Sequence, residues 1–204
     1  MMAEMARHIF QDALVLFAMV NIVGNLPVFA DITAHLTPTE KSRAFDTAVI
    51  TGGSIVLAFA LFGNWMLQSV FQVDIDAFKI AGGILVFIVA ARGVILGTIT
   101  APRVHAESDR NIGVFPLGFP FMAGPGTIVT TVLLMQHHGH IVTGISAILV
   151  YAAALPILRF IPIITRATGQ VAMMVTARIL YIFVCAKATT FVLTGLQNSL
   201  TLGP

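Results

Sequence analysis

Charged residues are scarce in this chain of 204 residues, and the scarcity limits what kind of protein it encodes. Asp, Glu, Lys and Arg together make up 10% of the sequence, whereas hydrophobic residues make up 57%. Because a typical soluble domain carries about 25% charged residues, the composition excludes an ordinary soluble domain. The net charge of +2 is too small to indicate a nucleic-acid partner, so we expect none.

Cysteine and acidic residues are also few, and their positions exclude two kinds of chemistry. The single cysteine, Cys185, excludes a disulfide within the chain, and in an apolar run it is typical of a small core residue. No Asp or Glu follows Asp109, which excludes a carboxylate proton relay through the second half. Any proton coupling would have to use Asp12, Lys187 or a histidine, although Asp12 is more typical of a charge at a helix end.

The signatures of membrane enzymes and metal sites are missing as well. The sequence has no Gly-x-Ser-x-Gly, no His-Glu-x-x-His and no paired intramembrane carboxylates, which nucleophilic or metal-assisted catalysis would need. His137, His138 and His140 crowd one short stretch, but no acid or cysteine close in sequence completes a set of metal ligands. We therefore expect a protein that is not an enzyme and that uses no metal or cofactor.

Long apolar runs dominate the sequence instead, and they predict an all-α membrane protein. A transmembrane helix needs about 20 largely apolar residues. Six runs meet this requirement, at about 9–30, 46–67, 77–97, 114–136, 141–163 and 172–197. The short charged stretch 98–113 then links a first half, 1–97, to a second half, 114–204.

Local signals refine the first two runs. The start of the chain is a poor signal peptide, because only Arg7 is basic there, Asp12 intrudes early and no small-residue cleavage site follows, so we expect a retained span. Thr37-Pro38-Thr39-Glu40 is typical of a capping box with proline at the first helical position, so the second helix should begin outside the hydrocarbon. Gly52-Gly53-Ser54 gives that helix a small face suited to close helix contact.

Two of the six runs contain residues that interrupt a helix. The first run carries two carboxamides, a glycine and a proline where an ordinary span has Leu or Val, in the string Asn21-Ile22-Val23-Gly24-Asn25-Leu26-Pro27. Proline removes a backbone hydrogen bond, glycine weakens a helix, and lipid cannot satisfy amide groups. A similar string, Ala123-Gly124-Pro125-Gly126-Thr127, lies in the fourth run, and Gly124 follows Gly24 by 100 residues.

The spacing of the interruptions predicts the architecture. With three spans in each half, the second half enters the membrane in the opposite direction, which predicts two inverted three-helix repeats with helices 1 and 4 broken near the midplane. Interruptions at corresponding positions of two repeats are typical of a transporter's binding site, where unwound backbone and half-helix N-termini meet a solute. The alternative is a pair of kinks that neighbouring helices relieve.

Basic residues predict the orientation. Loops one, three and five and the adjoining helix ends carry seven of them, whereas the other side has Arg7 and Lys79. The seven are Lys41, Arg43, Arg92, Arg103, Arg110, Arg159 and Arg166. Since cytoplasmic loops are enriched in Lys and Arg, we expect this side in the cytoplasm and both termini outside.

Several motifs of the chain recur together in one known family. The first run has Asn21, Gly24, Asn25, Pro27 and Phe29, with Ile22 where that family usually has proline. Further matches are Pro116-Leu117, Pro120, Ala123-Gly124-Pro125-Gly126, Ile80-Ala81-Gly82-Gly83, Arg178 and Gly195-Leu196. Tyr181 and Lys187 depart from the usual glycine and the usual apolar residue. On these motifs the chain resembles the MarC (UPF0056) family of six-span bacterial membrane proteins from end to end.

The resemblance implies a location and a function. It implies a multi-pass protein of the bacterial inner membrane, and because some members are described as neutral amino-acid transporters, it implies a secondary transporter of a small polar solute. The expected partners are a small-molecule solute and the lipid bilayer, and a homo-oligomer is left open. The alternative function is a non-transporting scaffold or accessory subunit, which would need no polar cavity in the membrane.

The candidate substrate-binding residues come from both interruptions, from nearby hydroxyls and from one intramembrane charge. They are Asn21, Gly24, Asn25, Pro27, Gly124, Pro125, Gly126, Thr127, Thr130 and Lys187. Lys187 is predicted near the bilayer centre, where a charge costs about 2.5–3.5 kcal/mol. It could pair with a solute carboxylate, bond to an asparagine or to free carbonyls, or snorkel toward Asp12.

Overall fold

The computed structural model describes residues 2–96 and 112–201, and within those ranges the chain is helical with no strand. The six helices are α1 (Met2–Val20), α2 (Ile22–Ile32), α3 (Pro38–Trp65), α4 (Ile75–Leu96), α5 (Pro125–Arg159) and α6 (Ile161–Thr201). A wider helical turn, Met66–Val70, continues α3. An irregular helix-like segment, Gly113–Met122, precedes α5 and is called the 113–122 segment. The predicted linker 98–113, with Arg103 and Arg110, lies outside the described residues apart from its last two positions.

Five helical stretches of the described chain are long and apolar enough to cross a membrane. They are Met2–Ile32, Pro38–Val70, Ile75–Leu96, Pro125–Arg159 and Val171–Leu200, and the apolar 113–122 segment is shorter. The sequence predicts six runs, and the difference arises at α5, which contains most of the predicted fourth and fifth runs. The backbone of α5 is nevertheless interrupted at Gly139, where φ is 81° and ψ is 169°. A similar interruption at Gly169 divides α6.

The start of α3 confirms the predicted capping box. The Thr37 hydroxyl accepts a hydrogen bond from the Glu40 backbone N–H at 3.4 Å. The Glu40 carboxylate accepts from the Thr37 backbone N–H at 2.8 Å, and Pro38 is the first helical residue. Two of the amide groups that a helix start leaves free are thereby satisfied.

Glycines allow the helices to approach closely, as membrane helices commonly do. A Cβ at Gly52 of α3 would lie 2.9 Å from the Tyr151 ring of α5 and 2.9 Å from Met122. The small face that the sequence predicts on this helix is therefore confirmed. In the same way, a Cβ at Gly83 of α4 would lie 2.8 Å from the Ala188 carbonyl oxygen of α6.

The buried core lies where α1, α2, α3 and α5 meet the 113–122 segment. Leu16, Ile22, Phe29, Leu117 and Met122 are almost completely buried there. Phe29 of α2 and Phe121 contact edge to face, with ring centroids 5.9 Å apart. Outside this core many large apolar side chains remain exposed, such as Phe62, Ile95 and Phe183. A continuous apolar exterior of this kind is what lipid covers in a membrane protein.

The close α4–α6 contact predicts a difference between two matched substitutions. Gly83→Ala places a methyl group against the backbone of α6, whereas Gly144→Ala places the same group where nothing lies within 4 Å. Both changes gain the same helix propensity, but the first forces two packed helices apart, so we expect it to lower the free energy of unfolding by about 1–3 kcal/mol relative to the second. Thermal unfolding of both purified variants in detergent measures the difference. Equal melting temperatures would contradict the packing.

Candidate functional site

The first interruption is centred on Asn21, which separates α1 from α2. Its backbone lies in the left-handed region, with φ 52° and ψ 42°, a conformation that asparagine tolerates better than most residues. Its side chain folds back over Gly24, where an added Cβ would lie only 2.6 Å from Asn21 Nδ2. Gly24 is thus needed for the position of Asn21, and the two residues act as one unit.

The second interruption lies between the 113–122 segment and α5. Gly124 is extended, with φ −76° and ψ 171°, and Pro125 begins α5, as expected for a residue that precedes proline. Within the described chain no side chain caps this helix start. The amide groups of the first turn, with the positive end of the helix dipole, are therefore available to a polar or anionic group.

The two interruptions meet at one cavity. Its volume is about 80 Å³, and Gly126 brings the start of α5 so close that a Cβ there would lie 3.0 Å from Met19 and 3.1 Å from Val86. The lining comes from α1, α2, α4, α5, α6 and the 113–122 segment. It consists of Met19, Val20, Asn21, Asn25, Val86, Val89, Ala90, Pro120, Phe121, Gly124, Pro125, Gly126, Thr127, Tyr181 and Val184. None of these described lining residues carries a charge.

Hydrogen bonds fix one side of this cavity. The Tyr181 hydroxyl of α6 donates to Asn25 Oδ1 at 2.7 Å, and Asn25 Nδ2 donates to the Val20 carbonyl at 3.4 Å. On the other side the Met122 carbonyl accepts from the Thr127 hydroxyl at 3.4 Å and from the Tyr151 hydroxyl at 2.8 Å. The side chains of Asn25 and Thr127 are therefore oriented by hydrogen bonds to neighbouring residues before any ligand binds.

Asn21 differs from these residues because its amide nitrogen lacks a partner. Asn21 is only 7% exposed, yet Nδ2 has no hydrogen-bond partner among residues 2–96 and 112–201. A buried polar group left unsatisfied costs about 1–3 kcal/mol. An unsatisfied donor in the wall of a cavity is therefore a position where a ligand acceptor or a water would be stabilising.

Six of the ten candidate residues share the cavity. They are Asn21, Asn25, Gly124, Pro125, Gly126 and Thr127. Gly24 lies behind Asn21, and Pro27 and Thr130 do not line the cavity, although the buried Thr130 hydroxyl has no partner in the described chain. Sequence reasoning missed Tyr181 as a site residue, although its departure from the family pattern at that position was a signal.

Lys187 lies outside this cavity, in a neighbouring groove. The groove is almost wholly apolar, has a volume of about 600 Å³, and shares Met19, Asn21 and Val184 with the cavity. The Lys187 side chain is exposed, and its ammonium lies 5.4 Å from the centre of the Phe191 ring. Lys187 therefore does not line the cavity that contains Asn25 and the start of α5, although it shares the neighbouring groove with Asn21.

A second polar cluster lies on α1, away from the cavity. Asp12 is 1% exposed, and both of its carboxylate oxygens accept from His138 Nδ1, at 2.9 and 3.0 Å. The sequence offers the histidines no acid nearby, and the structure brings one from 126 residues away. The described chain contains no group of three or more His, Cys, Asp or Glu that could hold a metal ion.

Comparisons with known proteins place the chain among integral membrane proteins. The model of the "MarC family integral membrane protein" family matches residues 6–200. The UPF0056 membrane protein YhcE of Escherichia coli K12 is 30% identical over 194 residues, which cover 90% of this chain and 89% of the relative. A UPF0056 membrane protein of Archaeoglobus fulgidus is 33% identical over 199 residues, covering 94% and 93%. No solved structure gives a significant match.

The hydrogen bond between Tyr181 and Asn25 can be measured with a double-mutant cycle. Tyr181→Phe removes only the hydroxyl group and leaves Asn25 Oδ1 buried without its donor. We expect a loss of about 1–3 kcal/mol in the free energy of unfolding in mixed micelles. In the Asn25→Ala background the same substitution should cost much less, because no acceptor remains. An equal cost in both backgrounds would show that the bond is not formed.

Proposed function

The chain belongs to the MarC family of integral membrane proteins, and from this premise we propose that it is a secondary transporter of a small polar solute such as a neutral amino acid. One observation carries the proposal. The two helix interruptions, which are about 100 residues apart in sequence, line one cavity that contains an unsatisfied buried donor. A protein that only anchors or scaffolds others has no need of such a group, because filling the space with apolar side chains is more stable.

We further propose that the chain consists of two inverted three-helix repeats, with six spans and with helices 1 and 4 broken. In this arrangement α5 crosses the membrane twice and turns at Gly139. The packing supports this repeat, because contacts between the halves have counterparts when the corresponding elements of the two repeats are swapped. The contact of α1 with α5 corresponds to that of the 113–122 segment with α3, and the contact of α2 with α6 corresponds to that of α5 with α4. The α4–α6 and α3–α5 contacts map onto themselves under the same exchange.

The size of the cavity sets the size of the solute. The cavity has a volume of only about 80 Å³. It therefore suits a solute with few non-hydrogen atoms, such as alanine. Larger solutes would require the cavity to open.

The lining sets the charge of the solute. With no charged side chain in the wall, a solute with a net charge would be poorly compensated, whereas a zwitterion places its own charges against dipoles. We assign the solute carboxylate to the uncapped start of α5, near Gly126 and Thr127. The amide nitrogen of Asn21 would donate to the same solute.

Transport is proposed to proceed by alternating access around this cavity. The residues that interrupt the helices, Asn21 with its left-handed backbone and Gly124, lie at element ends where small changes of φ and ψ redirect a half-helix. Rocking of one repeat against the other would expose the cavity first to one side and then to the other. We place the protein in the bacterial inner membrane with both termini outside, and a homo-oligomer is compatible with this mechanism.

A flux assay in proteoliposomes tests the proposed transport. We expect the wild type to exchange a radiolabelled neutral amino acid from a panel that includes glycine, alanine and serine. Asn25→Ala should reduce this exchange about 10-fold or more, because it removes an oriented polar group from the wall. Asn21→Gly should do the same, and glycine keeps the left-handed backbone that alanine would strain.

Asn64→Ala is the matched control, because Asn64 does not line the cavity and its side chain bonds to the exposed amides of Gln68 and Gln136. It should exchange the solute at the wild-type rate. Wild-type flux in both Asn21→Gly and Asn25→Ala would reject the site, and no flux of any panel member in the wild type would reject the function.

The proposed orientation can be tested with reporter fusions. Alkaline phosphatase, which folds only outside the cytoplasm, should be active when fused after Leu200 and inactive when fused within the loop 33–37 that precedes α3. The physical reason is the excess of Lys and Arg in the loops assigned to the cytoplasm. Activity in the reverse pattern would show that the termini face the cytoplasm.

A further inference from the structure

The buried cluster on α1 differs in composition from two other ion pairs of the described residues. Asp46 pairs with Arg159 at 2.8 Å, and Asp76 pairs with Lys79 at 2.7 Å. In these two pairs the partner of the carboxylate is an arginine or a lysine. The carboxylate of Asp12, by contrast, is bonded to His138. Histidine is the side chain that proteins most often use to take up and release a proton near neutral pH, so this pair contains a group suited to proton exchange.

Two further histidines extend the cluster. The rings of His8 and His138 lie 4.5 Å apart, and the rings of His137 and His138 lie 6.4 Å apart. The buried Nδ1 of His8 has no partner in the part of the chain that the structure describes. The titratable groups that act on Asp12 are thus His8 from its own helix and His137 and His138 from α5, which packs against α1.

The geometry points to a proton-binding site, and we propose that Asp12, His138 and His8 bind the proton whose movement is coupled to transport. This inference rests on the proposed function, because it names the ion that the transporter would use. With Asp12 ionised, His138 Nδ1 donates to the carboxylate, so the atom that remains to accept a proton is Nε2. The His138 side chain is 28% exposed, whereas Asp12 is almost fully buried, so the histidine is the more accessible member of the pair.

Proton binding would change the net charge of the pair by one. The neutral imidazole and the carboxylate carry −1 together, and the imidazolium and the carboxylate carry zero. The buried charge is therefore compensated only when the proton is bound, and its release leaves a net negative charge beside α5. No bond other than N–H forms or breaks, and the proton returns to water on the opposite side.

The position of the cluster connects it to the solute cavity. Asp12 lies on α1, nine residues before Asn21, the residue that follows the end of this helix; at 1.5 Å per residue the separation along the helix is about 14 Å. His138 directly precedes Gly139, whose positive φ interrupts α5. The pair therefore ties α1 to the point where α5 bends, and a change in its strength alters how the two packed helices move relative to each other.

The test separates coupling from transport itself, using radiolabelled alanine as the probe. Proteoliposomes are assayed for alanine exchange at equal pH and for alanine accumulation under an imposed pH gradient. We expect Asp12→Asn and His138→Gln to keep exchange within about 2-fold of the wild type and to lose about 10-fold in gradient-dependent accumulation. Asp12→Glu, which keeps a carboxylate, should restore much of the accumulation. His140→Gln is the matched control, because His140 bonds to the Ala60 carbonyl outside the cluster and should behave as the wild type.

Undiminished gradient-dependent accumulation in both Asp12→Asn and His138→Gln would overturn the proton site and leave the transporter proposal intact. An equal loss in His140→Gln would overturn it too, because the effect would not be specific to the cluster. If one of these variants fails to fold, it also loses alanine exchange at equal pH. The accumulation measured with the other variant then tests the proton site. Absence of alanine exchange in the wild type would instead contradict the proposed function for this solute, and the coupling inference with it.

Discussion

The structure depends on one constraint: in lipid, backbone and side-chain polar groups must find partners within the protein. Asn21, Gly24, Pro27, Gly124 and Pro125 all weaken a helix that would otherwise satisfy its own backbone. Their polar groups are stabilised only because the two interruptions pack against each other and against α4 and α6. In the cavity between them the hydrogen bonding is incomplete, because the buried amide nitrogen of Asn21 has no partner in the described chain.

Packing around the cavity is dense because small residues permit it. Gly82, Gly83 and Gly93 bring α4 close to α5 and α6, and Gly126 brings the start of α5 against α1. Tyr181 fills space beside Gly93 and reaches Asn25 with its hydroxyl. The same tyrosine thus limits the volume of the cavity and orients one of its polar residues, which ties solute size to the stability of the site.

Much of this arrangement follows from the sequence. The capping box at Thr37 and the small face at Gly52 could be predicted because each is a local signal. The left-handed Asn21 and the extended Gly124 lie within the two strings that predict an interruption. The family resemblance was confirmed over nearly the whole chain. The interruptions also lie in one cavity, which the periodicity of the spans alone could not show.

The remainder depends on contacts between residues far apart in sequence. Tyr181 and Asn25 are separated by 156 residues, and Asp12 and His138 by 126. Nothing local to either residue indicates its partner. The position of Lys187 could not be predicted either: an intramembrane charge is a strong signal of function, but only the packing of α6 shows that it lies in the apolar groove beside the cavity.

The central claim is that one solute contacts both interruptions at once, and a crystal structure grown in a lipid phase with alanine present tests it most directly. The account predicts density for the amino acid between the Asn21 side chain and the backbone amides at the start of α5. Alanine bound elsewhere in the protein, or bound against only one of the two interruptions, would contradict it.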